Sequence, residues 1–267
     1  MTQQHTDHLP APGPRTRGTV VVVPGRGESR ATYDRLGKRL AADAYRVRVL
    51  DAAEFDAAPG TGAEPGGAPL DAALEAFAGR LAEAVRGADP EDGTARPLVL
   101  VGSDTGAAAL AALFARPDDG GAPRPDGLVL AGLPGAGAVA SGATWDAELD
   151  VRTTCPTHRG ALTEDRDVRR GALGAPVPAT LLDAAYASSR DLPHLLLVGD
   201  RDPLADHEAL DRTAKALPRA RLAVVHDARH DVLNDQQHRS VAAELVAFLE
   251  TLRNDLTPLV TVRASAW

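Results

Sequence analysis

Three stretches of this sequence place reactive side chains directly after apolar runs. The first is LVLVGSDTGAAAL at 98–110, where a strand leads through Gly102-x-Asp104-x-Gly106 into an alanine-rich helix. The glycines let such a turn bend sharply and pack its helix against the strand, so the middle residue is thrust out at the helix N-terminus. That residue is Asp104, a carboxylate able to attack carbon or relay a proton; equally, Asp is a preferred N-cap. Ser103, one position before the apex, points elsewhere in such a turn and is the weaker nucleophile. The second stretch, LLLVGDRDPLAD at 195–206, offers Asp200 and Asp202. Either can orient a histidine, or the pair can simply shape a polar turn. The third, LAVVHDARHDVLND at 222–235, carries His226 and His230. Elbow residue, acid and histidine thus follow one another on successive strand ends, the chain order in which one kind of strand-end triad is assembled.

The elements that must hold these residues alternate along the chain. Apolar runs at 19–23, 46–50, 98–101, 128–130, 195–198 and 222–225 read as buried strands. Helical spacing follows around 33–41, 70–85, 106–115, 178–188, 204–217 and 237–252. Strands separated by helices predict an α/β fold, a doubly wound and mostly parallel sheet whose site lies at the C-terminal strand ends. Residues 52–68 read as an Ala/Gly/Pro loop, and 134–190 are too long for a crossover, so they are expected to form a lid-like insertion. The expected domain spans 18–253, after an unstructured lead at 1–17. A tail at 254–267 follows; its alternation at 259–267 fits an edge strand, pairing with a second copy in a homodimer, as well as a frayed end.

Composition narrows the partners. The chain has 267 residues, 29 Lys and Arg against 37 Asp and Glu, and a net charge of −8. With Lys38 and Lys215 its only lysines, no basic face for nucleic acid is expected. No run approaches the roughly 20 apolar residues of a membrane span, and the polar N-terminus has no apolar signal core. One cysteine excludes an internal disulfide. The loop histidines have no i, i+4 partner on a helix, so no metal is expected, and PGRG at 24–27 is no phosphate loop, so no cofactor is expected either. These features predict a cytoplasmic protein acting on a small molecule. The Ala- and Arg-rich, Lys-poor composition is associated with bacterial GC-rich genomes and secondary metabolism.

On these motifs the sequence resembles the α/β-hydrolase superfamily over most of 18–253. VVVVPGRGES looks like its oxyanion loop with Pro24 in place of the usual His, GSDTG like the nucleophile elbow, GDRDP like the acid loop and ARHDVLND like the histidine loop of lipase-like members. The resemblance implies Asp104 as nucleophile, His230 as base and Asp202 as acid, with an oxyanion hole from the backbone N–H groups of Arg26 and Thr105. The family usually begins with two further strands, for which 1–17 leave no room. An Asp elbow is similar to those of epoxide hydrolases and haloalkane dehalogenases, where a carboxylate displaces a leaving group at sp³ carbon to give an alkyl ester. Dehalogenases usually carry Trp where Thr105 stands, and epoxide hydrolases use lid tyrosines, of which the insertion offers Tyr186. Two other readings stay open: Asp104 and Asp202 flanking His230 for acid–base chemistry in a lyase, isomerase or cyclase, and a ligand-binding homologue without catalysis.

Further residues are candidates for substrate contact. Gly25, Arg26 and Glu28 are expected at the pocket mouth, with a surface ion pair as the alternative for the last two. Arg152, His158 and Arg159 can reach a substrate carboxylate or phenolate from the insertion. Trp145 can pack on a flat apolar substrate or form insertion core. Cys155 and His158 are spaced for a dyad, although a buried packing cysteine is the plainer reading.

Overall fold

The computed structural model describes residues 5–13, 15–53, 55, 67–87, 94–117 and 120–263, with only the backbone of 67–69. Seven strands form one sheet: β1 (His5–His8), β2 (Gly18–Val23), β3 (Tyr45–Leu50), β4 (Leu98–Ser103), β5 (Gly127–Ala131), β6 (His194–Gly199) and β7 (Ala220–Val225), in the order β1-β3-β2-β4-β5-β6-β7. β2 to β7 pair in parallel, while β1 runs antiparallel to β3 with His5 opposite Leu50.

The central strands are apolar on both faces because helices cover both faces. In β2, Val21 and Val23 enter one core layer with α2 (Gly67–Arg86) and α3 (Thr105–Ala115). Val20 and Val22 enter the other, with α1 (Asp34–Ala42) and the last helix, α8 (His238–Arg253). The alanines of α3 are the reason it lies so close to the sheet: every residue from Thr105 to Phe114 is buried, and a Cβ at Gly106 would run into the Val23 carbonyl. Between β5 and β6 come α4 (Trp145–Arg152), α5 (Pro156–Glu164) and α6 (Ala179–Tyr186); α7 (His207–Ala216) follows β6.

Two expectations are corrected, and one of two open readings of the tail is set aside. Part of the lead at 1–17 is a strand: β1 is polar and sits at the sheet edge, tied by Asp7 to the Arg48 guanidinium at 2.7 and 2.6 Å, so it carries no apolar alternation to read. The insertion holds two helices missed in the sequence, because α4 and α5 are short and weakly amphipathic. Thr144 caps α4 through the Ala147 N–H, and Pro156 opens α5. Residues 259–263 form no strand, and Leu259, Val260 and Val262 are exposed. The rest of that tail (264–267), the first four residues, and 54 and 56–66 of the expected loop lie outside the described residues. No described helix is long and apolar enough to cross a membrane.

Candidate active site

β4 ends at Ser103, and the next residue, Asp104, has φ 48° and ψ −117° before α3 begins at Thr105. For a side-chain-bearing residue this backbone costs on the order of 1–3 kcal/mol and persists only where its surroundings impose it. Here the Asp104 N–H donates to the Ala131 carbonyl at 3.0 Å, and its carbonyl accepts from the Ala108 N–H at 3.1 Å. The side chain makes no cap bond, so the N-cap reading is set aside. The loop after β2 passes so near that a Cβ at Gly25 would lie 2.7 Å from that of Asp104, which only glycine avoids.

The sheet brings the three predicted strand-end residues together. His230 Nε2 lies 3.2 Å from Asp104 Oδ1, and His230 Nδ1 lies 2.9 Å from Asp202 Oδ2. Asp202 is fixed by the Leu204 N–H, which donates to Oδ1 at 2.8 Å. Asp200 points away and meets the exposed His226 at 3.1 Å, deciding between the two acids.

Arg26 contributes far more than the backbone N–H assigned to it. That N–H donates to Asp104 Oδ2 at 2.8 Å, as expected of an oxyanion-loop residue. Its side chain then folds back over the same carboxylate, with Nε on Oδ2 and Nη2 on Oδ1, both at 2.8 Å. The remaining nitrogen, Nη1, donates to the Ala175 carbonyl in the insertion. Thr105 opens α3 and its N–H has no intrahelical acceptor; among the described residues it makes no bond to the carboxylate.

Burial alone would raise the Asp104 carboxyl; the Arg26 charge and the hydrogen bonds from His230 and Arg26 overcome it and hold the group well below the usual carboxylate range. Burial would lower His230, but the Asp202 charge, hydrogen bonds to Asp104 and Asp202, and the Asp104 charge push it up to about 10. At neutral pH the site therefore holds the Asp104 carboxylate against an imidazolium on His230, both buried.

Beneath the loop lies a second charged cluster. Glu28 is buried instead of sitting at a pocket mouth: Oε2 accepts from the Gly25 N–H at 2.6 Å and from the Tyr33 hydroxyl, while Oε1 is buried without a partner. Burial and the Asp231 charge raise its carboxyl to about 7 against the pull of Arg152. Arg152, 1% exposed, donates to Glu148 Oε1 at 2.9 Å, to Asp231 Oδ1 at 3.4 Å and to the Arg26 carbonyl at 2.7 Å. His158 is also buried, with Nε2 at 2.9 Å from Asp231 Oδ2, so neither it nor Arg152 faces a substrate, and His158 forms no dyad with Cys155.

A pH dependence of stability follows. Between about pH 4.5 and 7 the folded chain keeps a proton on Glu28 that the unfolded chain has lost, so stability falls by roughly 3 kcal/mol as pH rises through that window. His230 has the same sign: its contribution is complete below pH 6.5 and is lost as pH climbs through about 10. Asp104 acts oppositely, its contribution vanishing only in strong acid. In urea unfolding Glu28→Gln, which imitates the protonated acid, is expected to remove the part of the pH dependence between 4.5 and 7 in which stability falls.

Other predicted contacts lie elsewhere. Trp145 packs with Leu149, Leu162 and Val168 and donates from Nε1 to Thr163 Oγ1 at 3.0 Å, so it is insertion core. Arg159 pairs with Asp150 at 2.7 Å on the surface. The Tyr186 hydroxyl donates to the Pro134 carbonyl at 3.1 Å. Cys155 is buried near Arg35. Sequence reasoning missed Asp235, fully buried, whose Oδ1 accepts from Thr153 at 2.7 Å and whose Oδ2 accepts from the Arg229 N–H at 2.7 Å, joining the histidine loop to the insertion. Its four-residue distance from Asp231 in a polar loop gave it no distinguishing signal. Among the described residues no His, Cys, Asp or Glu cluster is arranged to hold a metal ion.

Comparison with known proteins bears on the fold. No curated protein matches the chain in sequence. Among solved structures, a soluble variant of monoglyceride lipase from Saccharomyces cerevisiae superposes with a TM-score of 0.70 at 14% identity, covering 93% of this chain and 91% of that one. Monoacylglycerol lipase from Paleococcus ferrophilus gives 0.63 at 20% identity over 93% and 100%. A thermophilic esterase from Thermogutta terrifontis gives 0.59 at 21% identity over 93% of each. These likenesses establish the fold. A model of the alpha/beta hydrolase family matches residues 20–244, and with most of its length accounted for, the chain belongs to that family.

Proposed function

We propose that this chain is a hydrolase that opens an epoxide or carbon–halogen bond of a small, mostly apolar molecule through an ester formed on Asp104. One observation carries the reading: a strained elbow holds Asp104 with its carboxylate divided between His230 and the Arg26 N–H. The lipases and esterases among the structural neighbours are named for acyl-ester cleavage. A carboxylate attacking an acyl carbon would produce a mixed anhydride, whereas at sp³ carbon it produces an ordinary ester.

In the first step an Asp104 oxygen bonds to the substrate carbon as the carbon–halogen bond breaks and halide leaves with its electron pair. With an epoxide the ring oxygen leaves instead and takes the proton of charged His230, since Tyr186 is engaged by Pro134. Esterification removes the Asp104 charge and its hydrogen bond, two of the causes that raise His230, so on the halide route the imidazolium gives its proton to solvent water and becomes available as base. Water then gives a proton to His230 and adds to the Asp104 carbonyl carbon. The resulting oxyanion faces the Arg26 N–H, with Thr105 N–H as its second donor. Collapse expels the product alkoxide, which takes a proton back, and Asp104 is restored. The 134–190 insertion serves as the lid.

His230 raised between two carboxylates favours a second reading, acid–base chemistry without a covalent step. A single turnover in H₂¹⁸O separates them, using styrene oxide, 1-bromobutane and 2-bromopropanoate with excess enzyme. The covalent route leaves the label in the Asp104 peptide and unlabelled oxygen in the product. Label in the product alone would establish direct attack by water and overturn the ester.

A further inference from the structure

We infer that the substrate carries a carboxylate beside its reactive carbon, and that Arg26 is the group that recognises it, moving from Asp104 to the substrate on binding. This rests on the reading of Asp104 as nucleophile and names the substrate class of that site. The guanidinium is a fork with two parallel donors, the geometry that matches a carboxylate, and its present occupant is the internal carboxylate of Asp104, held at 2.8 Å by both Nε and Nη2. Arg26 is 9% exposed and Asp104 3%, so the pair is desolvated and neither charge can be left alone cheaply. As it stands, Asp104 receives the Arg26 backbone N–H, two guanidinium donors and His230, which leaves its oxygens little freedom to attack.

Attack therefore requires the guanidinium to withdraw. A neutral substrate would leave a buried cation without a partner, and a site of this kind discriminates strongly against the molecule lacking the matching group. A substrate carboxylate removes that penalty by taking the fork. Because Arg26 N–H and side chain converge on one carboxylate, an incoming acid bound there has its α or β carbon next to Asp104. The class is thus short 2-halo or 2,3-epoxy carboxylic acids. Nη1 also holds the Ala175 carbonyl, so the same movement releases the insertion from the elbow.

Two measurements test this. The first is binding of isobutyrate and isobutyramide by calorimetry to the wild type, Asp104→Ala and the Asp104→Ala/Arg26→Met double variant. Isobutyrate is expected to bind Asp104→Ala at least about 10-fold more tightly than wild type, because the internal competitor is gone, with no binding to the double variant and none of the amide anywhere. Equal binding of acid and amide, or binding unchanged by Arg26→Met, would overturn carboxylate recognition. The second is bromide release from 2-bromopropanoate and 2-bromopropanamide. Wild type is expected to favour the acid by about 100-fold or more in kcat/KM, and Arg26→Met to lose that preference while gaining turnover of the amide. Turnover of both without preference would overturn the inference while leaving the ester route standing. Carboxylate binding with no bromide release in any variant would instead count against Asp104 as nucleophile, and the inference would fall with it. If Asp104→Ala does not fold, the wild-type and Arg26→Met comparison decides alone.

Discussion

His230→Ala is expected to accumulate an alkyl ester on Asp104, visible as a gain in intact mass, while overall turnover falls by about 10³-fold or more. Alkylation itself needs no proton from His230 when the leaving group is a halide, so the first step survives the substitution. The second step does not, because among the described residues no other base is in place: Asp202 reaches the site through His230 Nδ1, at 2.9 Å. The variant is expected to fold, since Arg26 still pairs with Asp104. Asp104→Asn supplies the opposite arm, with the elbow shape kept, no adduct and no turnover. Peptide mapping after separate incubations with 1-bromobutane and with 2-bromopropanoate decides the matter. An adduct on another residue, or full turnover by either variant, would defeat the assignment.

Much of this site was legible in the sequence because it depends on strand ends. The run TVVVV, the elbow glycines Gly102 and Gly106 and the sequential placement of Asp104, Asp202 and His230 are local signals, and parallel pairing of β4, β5, β6 and β7 carries them to one edge. Asp200 and Asp202 were equivalent as residue types, two positions apart; only the direction each side chain takes after β6 separates them. The return of the Arg26 side chain onto Asp104 spans 78 positions and has no periodic trace, because it is set by how closely two loops approach. The same holds for His158 with Asp231, 73 positions apart. Two cues were available: Glu148 and Arg152 stand at i, i+4, the spacing of a helical ion pair, and Asp231 directly follows the catalytic candidate His230.

Arg152→Met is expected to cost about 3–5 kcal/mol of folding stability in urea unfolding, the largest stability loss of any single substitution near the site. Met keeps an unbranched apolar stem of similar length at this buried position, so the packing lost is small. What is lost is the guanidinium that reaches Glu148, Asp231 and the Arg26 carbonyl together. Glu148 and Asp231 are 2% and 3% exposed, so each would be left in a low-dielectric interior with fewer donors. Glu148 would keep the Gly171 N–H, and Asp231 would keep His158. If unpaired charge is the cause, neutralising the acids must restore stability: Arg152→Met/Glu148→Gln/Asp231→Asn is expected to recover more than half of the loss. Arg152 also lowers Glu28, so the single variant should hold the Glu28 proton to higher pH and move the falling limb of stability upward from about pH 7. A triple variant no more stable than Arg152→Met would place the effect in lost packing, and an unmoved limb would disconnect Glu28 from the cluster. Because Arg152 grips the carbonyl of Arg26, the same substitution loosens the loop that presents the oxyanion N–H, and turnover should fall even where the protein remains folded.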